Sequence, residues 1–317
     1  MRTSSYKGRV LAPFDPWKSS LCTCPAKLSL NPYTGCSFKC LYCYATAYIG
    51  VRDSTPKRDF ARRLRRDLAR YPAWMPINIG TSSDPYPPEE IVYRLTRTAL
   101  EILVPLGRRV LITTKGTLYA RRDLDLIRAG NVAVTPTITT LNSHLALLIE
   151  PGAPHPIARL EALRTAARSG VPSGVRIDPI IPYVNDDPHE IESLVEEVAG
   201  AGARFVVTST YKARPDNFKR LLSSLGSEVA RRLERLYASG ERIQGYKYLP
   251  KTLREKLLAP VVRAARRSGL EYATCREGLT GKEWFSAASC DGTHLIPMRI
   301  KPRSLSGSIG EYLVDAG

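Results

Sequence analysis

The chain has 317 residues, 43% of them hydrophobic and 24% charged, and its 47 Lys plus Arg against 30 Asp plus Glu give a net charge of +17 and a pI near 9.7. That length buries a large core, the composition excludes a disordered chain, and no apolar run is long enough to span a bilayer. The opening "MRTSSYKGRVLAPFDPWKSS" has no apolar stretch of signal-peptide length, so the expectation is a cytoplasmic protein without a membrane partner. A positive field of this size attracts polyanions. An Arg-rich surface that only keeps the protein soluble is the plainer reading.

In chain order, an N-terminal segment (1–27) precedes "AKLSLNP", the first expected strand. It leads directly into "NPYTGCSFKCLYCYATAY", residues 31–48. The next stretch, "VRDSTPKRDFARRLRRDLAR", carries eight basic residues against three acidic ones. Helical spacing puts Arg58, Arg62, Arg65 and Arg66 on one side of it, a footprint that suits phosphate contacts and also suits a solvated face. "PINIGTSS" reads as a strand and "PEEIVYRLTRTALEILVPLG" as a helix. "RRVLITTKG" is a strand, "LYARRDLDLIRAG" a helix closed by Gly130, and "NVAVTPTITT" a strand. "PIARLEALRTAARSG" is a helix with Gly170 past its end, followed by the strand "SGVRIDPIIP" and the helix "DPHEIESLVEEVAGAG". "ARFVVTST" is the last strand of the series, and "NFKRLLSSLGSEVARRLERLYASG" is helical.

Short β-branched strands separated by helices are the pattern of βα units around a parallel sheet. Six such units are too few for a closed eight-stranded barrel. The expected fold is α/β: a partial (β/α)6 TIM-type barrel over residues 28–239, with a C-terminal extension over 240–317. Chemistry in such folds sits at the C-terminal ends of the strands. The cysteine loop and the segments "GTSSDPYP", "TTKG", "TPTITT", "RIDPIIP" and "TSTYK" should therefore ring one mouth.

Cys36, Cys40 and Cys43 fall within eight positions. A structural zinc wants four closed ligands, and a disulfide leaves one thiol over. Three thiolates on a 4Fe–4S cluster leave one iron open for a ligand that is not protein. This spacing, with Tyr42 just before the third cysteine, resembles the motif of the radical S-adenosylmethionine (radical SAM) superfamily. "GCSFKCLYCYA", "GTSSDPYPPEE", "LITTKG" and "VRIDPIIP" look like its spore photoproduct lyase branch, over about residues 28–210. The resemblance implies a 4Fe–4S cluster on these three cysteines, S-adenosylmethionine (SAM) chelated at the open iron, and reductive cleavage of SAM to a 5′-deoxyadenosyl radical.

It further implies that Ser82, Ser83 and Asp84 bind the methionyl amino group and that Lys115 pairs with the methionyl carboxylate. Tyr42 and Tyr44 stand where the lyase has tyrosines linked to radical return. Read as residues alone, Lys115 also suits a surface position, the tyrosines suit packing, and Ser82 to Asp84 suit a turn or helix cap. Arg176 and Asp178 alternate with Ile177 and share one face of their strand, which meets ligand if it points inward. The lyase's hydrogen-donor cysteine has no counterpart in "NIGTSSDPYP", so the resemblance carries the radical chemistry and not dimer repair.

Four cysteines remain. Cys22 and Cys24 precede the first strand, and Cys275 and Cys290 lie in the extension. A second 4Fe–4S cluster or a zinc needs four ligands; disulfides and separate thiols are the other readings, and His294 is a further ligand candidate. The "GYKYLPK" stretch offers Tyr246, Lys247 and Tyr248 for stacking and phosphate contact. The expected activity is radical modification or repair of a nucleic acid, DNA or RNA, driven by an electron donor such as ferredoxin or flavodoxin. The alternatives are a radical enzyme acting on a peptide or small metabolite, and a non-enzymatic zinc module that binds nucleic acid.

Overall fold

Each of the six expected segments becomes a strand in the computed structural model, which describes residues 8–14 and 20–304. They are β2 (Leu28–Leu30), β3 (Ile77–Ile79), β4 (Val110–Thr114), β5 (Val132–Pro136), β6 (Gly174–Ile180) and β7 (Phe205–Thr210). Two further strands flank them. β1 (Leu11–Pro13) pairs antiparallel with β2, and β8 (Glu271–Thr274) pairs parallel with β7. The order is β1-β2-β3-β4-β5, then β6-β7-β8, and single bridges at Val134–Ser173 and Thr137–Arg176 join β5 to β6. All pairings from β2 onward are parallel. The extension thus adds a seventh parallel strand to the six expected ones.

Among the described residues no ladder joins β8 back to β1 or β2, so the barrel is partial. The gap is spanned by side chains. Buried Lys27, just before β2, pairs with buried Asp291 of the C-terminal segment. Strands β3, β5 and β7 are buried along their whole length, as strands covered by helices outside and ligand-facing groups inside must be. The 17-residue helix Lys251–Arg267 packs on the helix Pro188–Gly200 and on β7, leading into β8.

The continuous helix expected over 88–107 is broken. Arg94 takes a left-handed conformation (φ 51°) between the helices Glu90–Tyr93 and Leu95–Leu103. The cause is Glu90, whose buried carboxylate accepts the backbone N–H of Thr96 (3.0 Å) and of Arg97 (3.1 Å). It therefore caps the second helix from inside the first. Tyr33 and Arg122 complete its partners. The helical stretch after β7 is likewise two helices, Pro215–Ser224 and Ser227–Ala238.

Gly80 ends β3 at φ +98°, and a Cβ there would lie 2.2 Å from the Thr113 carbonyl oxygen. Gly170 also has positive φ (+78°), but a Cβ there meets nothing. Gly80→Ala is expected to lower the urea unfolding free energy by about 1–3 kcal/mol more than Gly170→Ala, because only the first adds a clash to the backbone strain. Equal losses would show that the close approach of β3 and β4 is not what requires glycine.

Candidate active site

The three-cysteine loop leaves β2 at Asn31 and is fixed by backbone contacts to distant segments. Cys36 N–H donates to Arg52 O (2.9 Å), Leu41 N–H to Ile149 O (2.9 Å), and Gly152 N–H to Phe38 O (3.1 Å). Asn217 Nδ2 donates to Tyr42 O (3.1 Å). Cys36, Cys40 and Cys43 all line one cavity of about 260 Å³ at the C-terminal ends of the strands. Burial pushes the Cys36 thiol up to about 11 and raises those of Cys40 and Cys43 as well. Lys115 pulls the Cys40 and Cys43 thiols back, and backbone N–H groups of Asp84 and Phe38 at Cys36, and of Ala45 and Thr46 at Cys43, do the same. Burial thus disfavours free thiolates here, and Lys115 and these N–H groups offset part of that cost for sulfurs bound to metal. Among the described residues no three His, Cys, Asp or Glu side chains converge as a single-ion site would require. Thiolates on separate irons of a cluster do not need to converge, so the donor set fits a 4Fe–4S group.

The "GTSSDP" loop beyond β3 forms the neighbouring wall. Asn31 Oδ1 accepts the N–H of Ser82 (2.9 Å) and Ser83 (3.3 Å), while its Nδ2 donates to Thr81 Oγ1 (3.0 Å). Ser83 is buried and its hydroxyl donates to the Gly35 carbonyl. Asp84 accepts from Tyr86 N (2.9 Å), Thr114 Oγ1 (2.6 Å) and Lys115 N (2.7 Å), which fills three of the roughly four acceptor positions of a carboxylate. Ser82 lines the cavity and hydrogen-bonds to Tyr48.

Lys115 reaches from the end of β4 over the Tyr42 ring, 5.3 Å from its centroid, and lies 3.9 Å from Glu150. Glu150 is fully buried. It accepts from the Tyr42 hydroxyl and from Thr139 Oγ1 (2.9 Å), and pairs with buried Arg159 at 2.5 Å. Burial pushes the Glu150 carboxyl up, but Lys115 and Arg159 outweigh it and hold the group below its ordinary 4.5. Tyr44 points its hydroxyl at the Thr81 carbonyl (2.5 Å) and stays partly exposed. Arg176 and Asp178 pair at 2.5 Å, and both face the cavity from β6.

A model of the radical SAM superfamily matches residues 30–198, the stretch from the end of β2 through the three-cysteine loop to the helix Pro188–Gly200. The chain belongs to the radical SAM superfamily. It is 31% identical over 267 residues to an uncharacterized protein of Mycobacterium tuberculosis, covering 77% of this chain and 76% of that one. A radical SAM Nalpha-GlyT isomerase of Pseudomonas phage M6 is 23% identical over 264 residues, covering 80% of this chain and 54% of the relative. In fold the chain is similar to a spore photoproduct lyase mutant with bound AdoMet and a dinucleoside spore photoproduct, with a TM-score of 0.62, 17% identity and coverage of 86% and 80%. It is also similar to Streptococcus suis SuiB bound to the precursor peptide SuiA, with a TM-score of 0.52, 16% identity and coverage of 78% and 48%. The protein is therefore a radical SAM enzyme, and the family implies a 4Fe–4S cluster and SAM. The reading as a non-enzymatic zinc module falls with that assignment.

Other expectations for this radical SAM site are redistributed. Arg58, Arg62, Arg65 and Arg66 are exposed around the helix Phe60–Leu68, but none lines the cavity. Arg62 pairs with Asp59, and Arg66 binds Asp67 and the Gly8 carbonyl. Tyr248 is fully buried with Lys212 and Arg254 over its ring, so it offers no face for a base to stack on. Tyr246 lines the cavity and is covered by Arg214 and Arg276, each within 5 Å of its ring centroid. Lys247 pairs its backbone with Ala213, and its side chain is half-buried outside the cavity lining. His294 is hydrogen-bonded through both ring nitrogens, to Ser289 (2.7 Å) and Glu271 (3.2 Å).

Sequence reasoning passes over Asn31, Glu150 and Glu277. Asn31 ends the first strand just before a proline, which marks it as a mouth residue. Glu150 and Glu277 carry no local signal. Glu277 binds Thr210 N (2.7 Å) at the end of β7, Lys212 Nζ (2.7 Å) in the loop after it and Arg254 Nη1 (3.2 Å) on the helix Lys251–Arg267.

Glu150→Gln strands Arg159 and Lys115 without their anion and is expected to cost about 3–5 kcal/mol in urea unfolding, part of it recovered in Glu150→Gln/Arg159→Met. Because the folded carboxyl is depressed below 4.5, its contribution is full above that pH and is lost as pH falls through the depressed value. The gap between wild type and variant should therefore narrow below about pH 4.5. A gap that stays constant into acid would remove Glu150 as the charged tie of the loop.

Proposed function

We propose that this radical SAM enzyme acts on a nucleic acid whose reacting nucleotide enters the cavity, with a ferredoxin- or flavodoxin-like protein as electron donor. The observation that carries the substrate class is the charge of the site. Five basic side chains line the cavity against three acidic ones, in a chain whose net charge is +17. Arg214 and Arg276 both stand within 5 Å of the Tyr246 ring at one wall, which suits a phosphate contact. The lyase with a bound dinucleoside agrees with this reading, whereas the peptide-bound neighbour supports the alternative.

When bound, the cluster and SAM supply a carbon-centred radical that removes one hydrogen atom from the substrate. The chain's own residues have separate tasks in this reading. Cys36, Cys40 and Cys43 ligate three irons. Lys115 offers its ammonium to the methionyl carboxylate, while Ser82 faces the cosubstrate from a loop that Ser83, Asp84 and Asn31 hold in shape. Tyr42 anchors the cysteine loop through Glu150, and Tyr44 is the tyrosine exposed to the cavity. Arg176 and Asp178 present one cation and one anion to the substrate. An enzyme acting on a base takes it from a single strand or flips it out of a duplex. Enclosure of the cavity protects the radical from side reactions.

The test is binding of fluorescein-labelled single-stranded DNA and RNA to the reconstituted protein over a salt series, with 5′-deoxyadenosine release measured alongside. Arg214→Ala/Arg276→Ala should flatten the logarithmic salt slope by about 0.7 for each phosphate that is no longer neutralised, and Arg62→Ala/Arg65→Ala should leave it unchanged. The oligonucleotide should also accelerate 5′-deoxyadenosine release. Acceleration by a peptide of matched charge, with none by either oligonucleotide, would transfer the enzyme to the peptide class.

A further inference from the structure

Four cysteines that the radical cluster does not use come from opposite ends of the chain and meet. Cys24 and Cys290, 266 residues apart, bring their sulfurs to 3.4 Å. Cys22 hydrogen-bonds to Cys24, and Cys275, at the end of β8, interacts with Cys24 and with Cys290. All four are free thiols. Cys22, Cys24 and Cys275 line the same cavity as the three-cysteine loop, while Cys290 is only 1% exposed. Phe205, Val207 and Ala273 form the dry floor beneath them.

We propose that Cys22, Cys24, Cys275 and Cys290 ligate a second 4Fe–4S cluster, which faces the substrate cavity. A single zinc would need the sulfurs about 2.3 Å from one point, and among the described residues no such convergence exists. A cluster puts each thiolate on its own iron, so the four sulfurs need not meet at one point. A Cys24–Cys290 disulfide would leave Cys22 and Cys275 without a role. Lys27, buried and paired with Asp291, interacts with Cys24 and Cys290, and Arg176 hydrogen-bonds to Cys275. Two cations, each with its own carboxylate partner in Asp291 and Asp178, therefore stand beside the sulfur cage and offset part of the cost of burying an anionic cluster. With four protein ligands no iron is left open, so the site holds no second SAM and serves as an electron store on the substrate's wall. The ligand set stands independently of the substrate proposed above.

The experiment is anaerobic reconstitution with iron and sulfide, followed by metal analysis of three proteins. The wild type is expected to bind about eight irons per chain, and Cys36→Ala/Cys40→Ala/Cys43→Ala and Cys24→Ala/Cys290→Ala about four each. The triple variant should keep an iron–sulfur absorbance and a dithionite-induced paramagnetic signal while releasing no 5′-deoxyadenosine. A wild type with only about four irons overturns the proposal however the variants fold. So does a triple variant that carries zinc in place of iron, or a Cys24→Ala/Cys290→Ala protein with the full wild-type iron content. Failure of the wild type to cleave SAM would instead strike the radical reading, because iron in the triple variant does not depend on it.

Discussion

The site depends on one buried carboxylate. Glu150 ties together the cysteine loop through Tyr42, the end of β4 through Lys115, the segment after β5 through Thr139, and the helix Pro156–Arg168 through Arg159. These segments converge because a charge in a dry interior must find partners, and here the partners come from the first, third and fourth βα units. The loop that carries Cys36, Cys40 and Cys43 is thereby fastened to the barrel from below. Its sulfurs keep their places without regular secondary structure of their own.

A second carboxylate does the same on the other side. Glu277 gathers the end of β7, Lys212 and the helix Lys251–Arg267. Between the two anchors the cavity walls are lined by cations whose partners lie behind or beside them. Lys115 and Lys212 are each held by a buried acid, and Arg176 by its strand neighbour Asp178. A cation held this way needs little reorganisation when an anionic ligand arrives, because its direction is already set.

Much of this is legible in the sequence, and the parts that are not share a cause. The strands are visible because β-branched runs alternate with 3.6-residue periodicity, and the cysteine spacing is visible because ligation restricts spacing within one loop. Glu150 and Glu277 are invisible because each acts on residues far away in sequence, and a single acid before Pro151 or Gly278 looks like any other. The strand β8 is hidden inside "LEYATC", four residues with no alternation to mark them, whose pairing with β7 is a tertiary matter. Tyr248 illustrates the reverse error: a Tyr–Lys–Tyr run looks like a binding strip, but in a strand alternate residues point the same way, and here that way is inward. The stretch 88–107 reads as one helix because Glu90 looks like an exposed helix acid, whereas it is the cap that interrupts it.

The barrel's open side is spanned by side chains from residues 24–27 and 290–291, the first and last portions of the described chain. Contacts at such separation carry the largest loop-closure entropy in the molecule and form late. Until β8 is in place, the edge of β7 that it covers is bare. Any protein shortened before residue 271 would keep the radical-cluster loop but expose a fully buried strand's edge, the kind of surface that pairs with another copy. The C-terminal segment thus covers a strand edge that would otherwise be open to pairing, as well as forming a wall of the cavity.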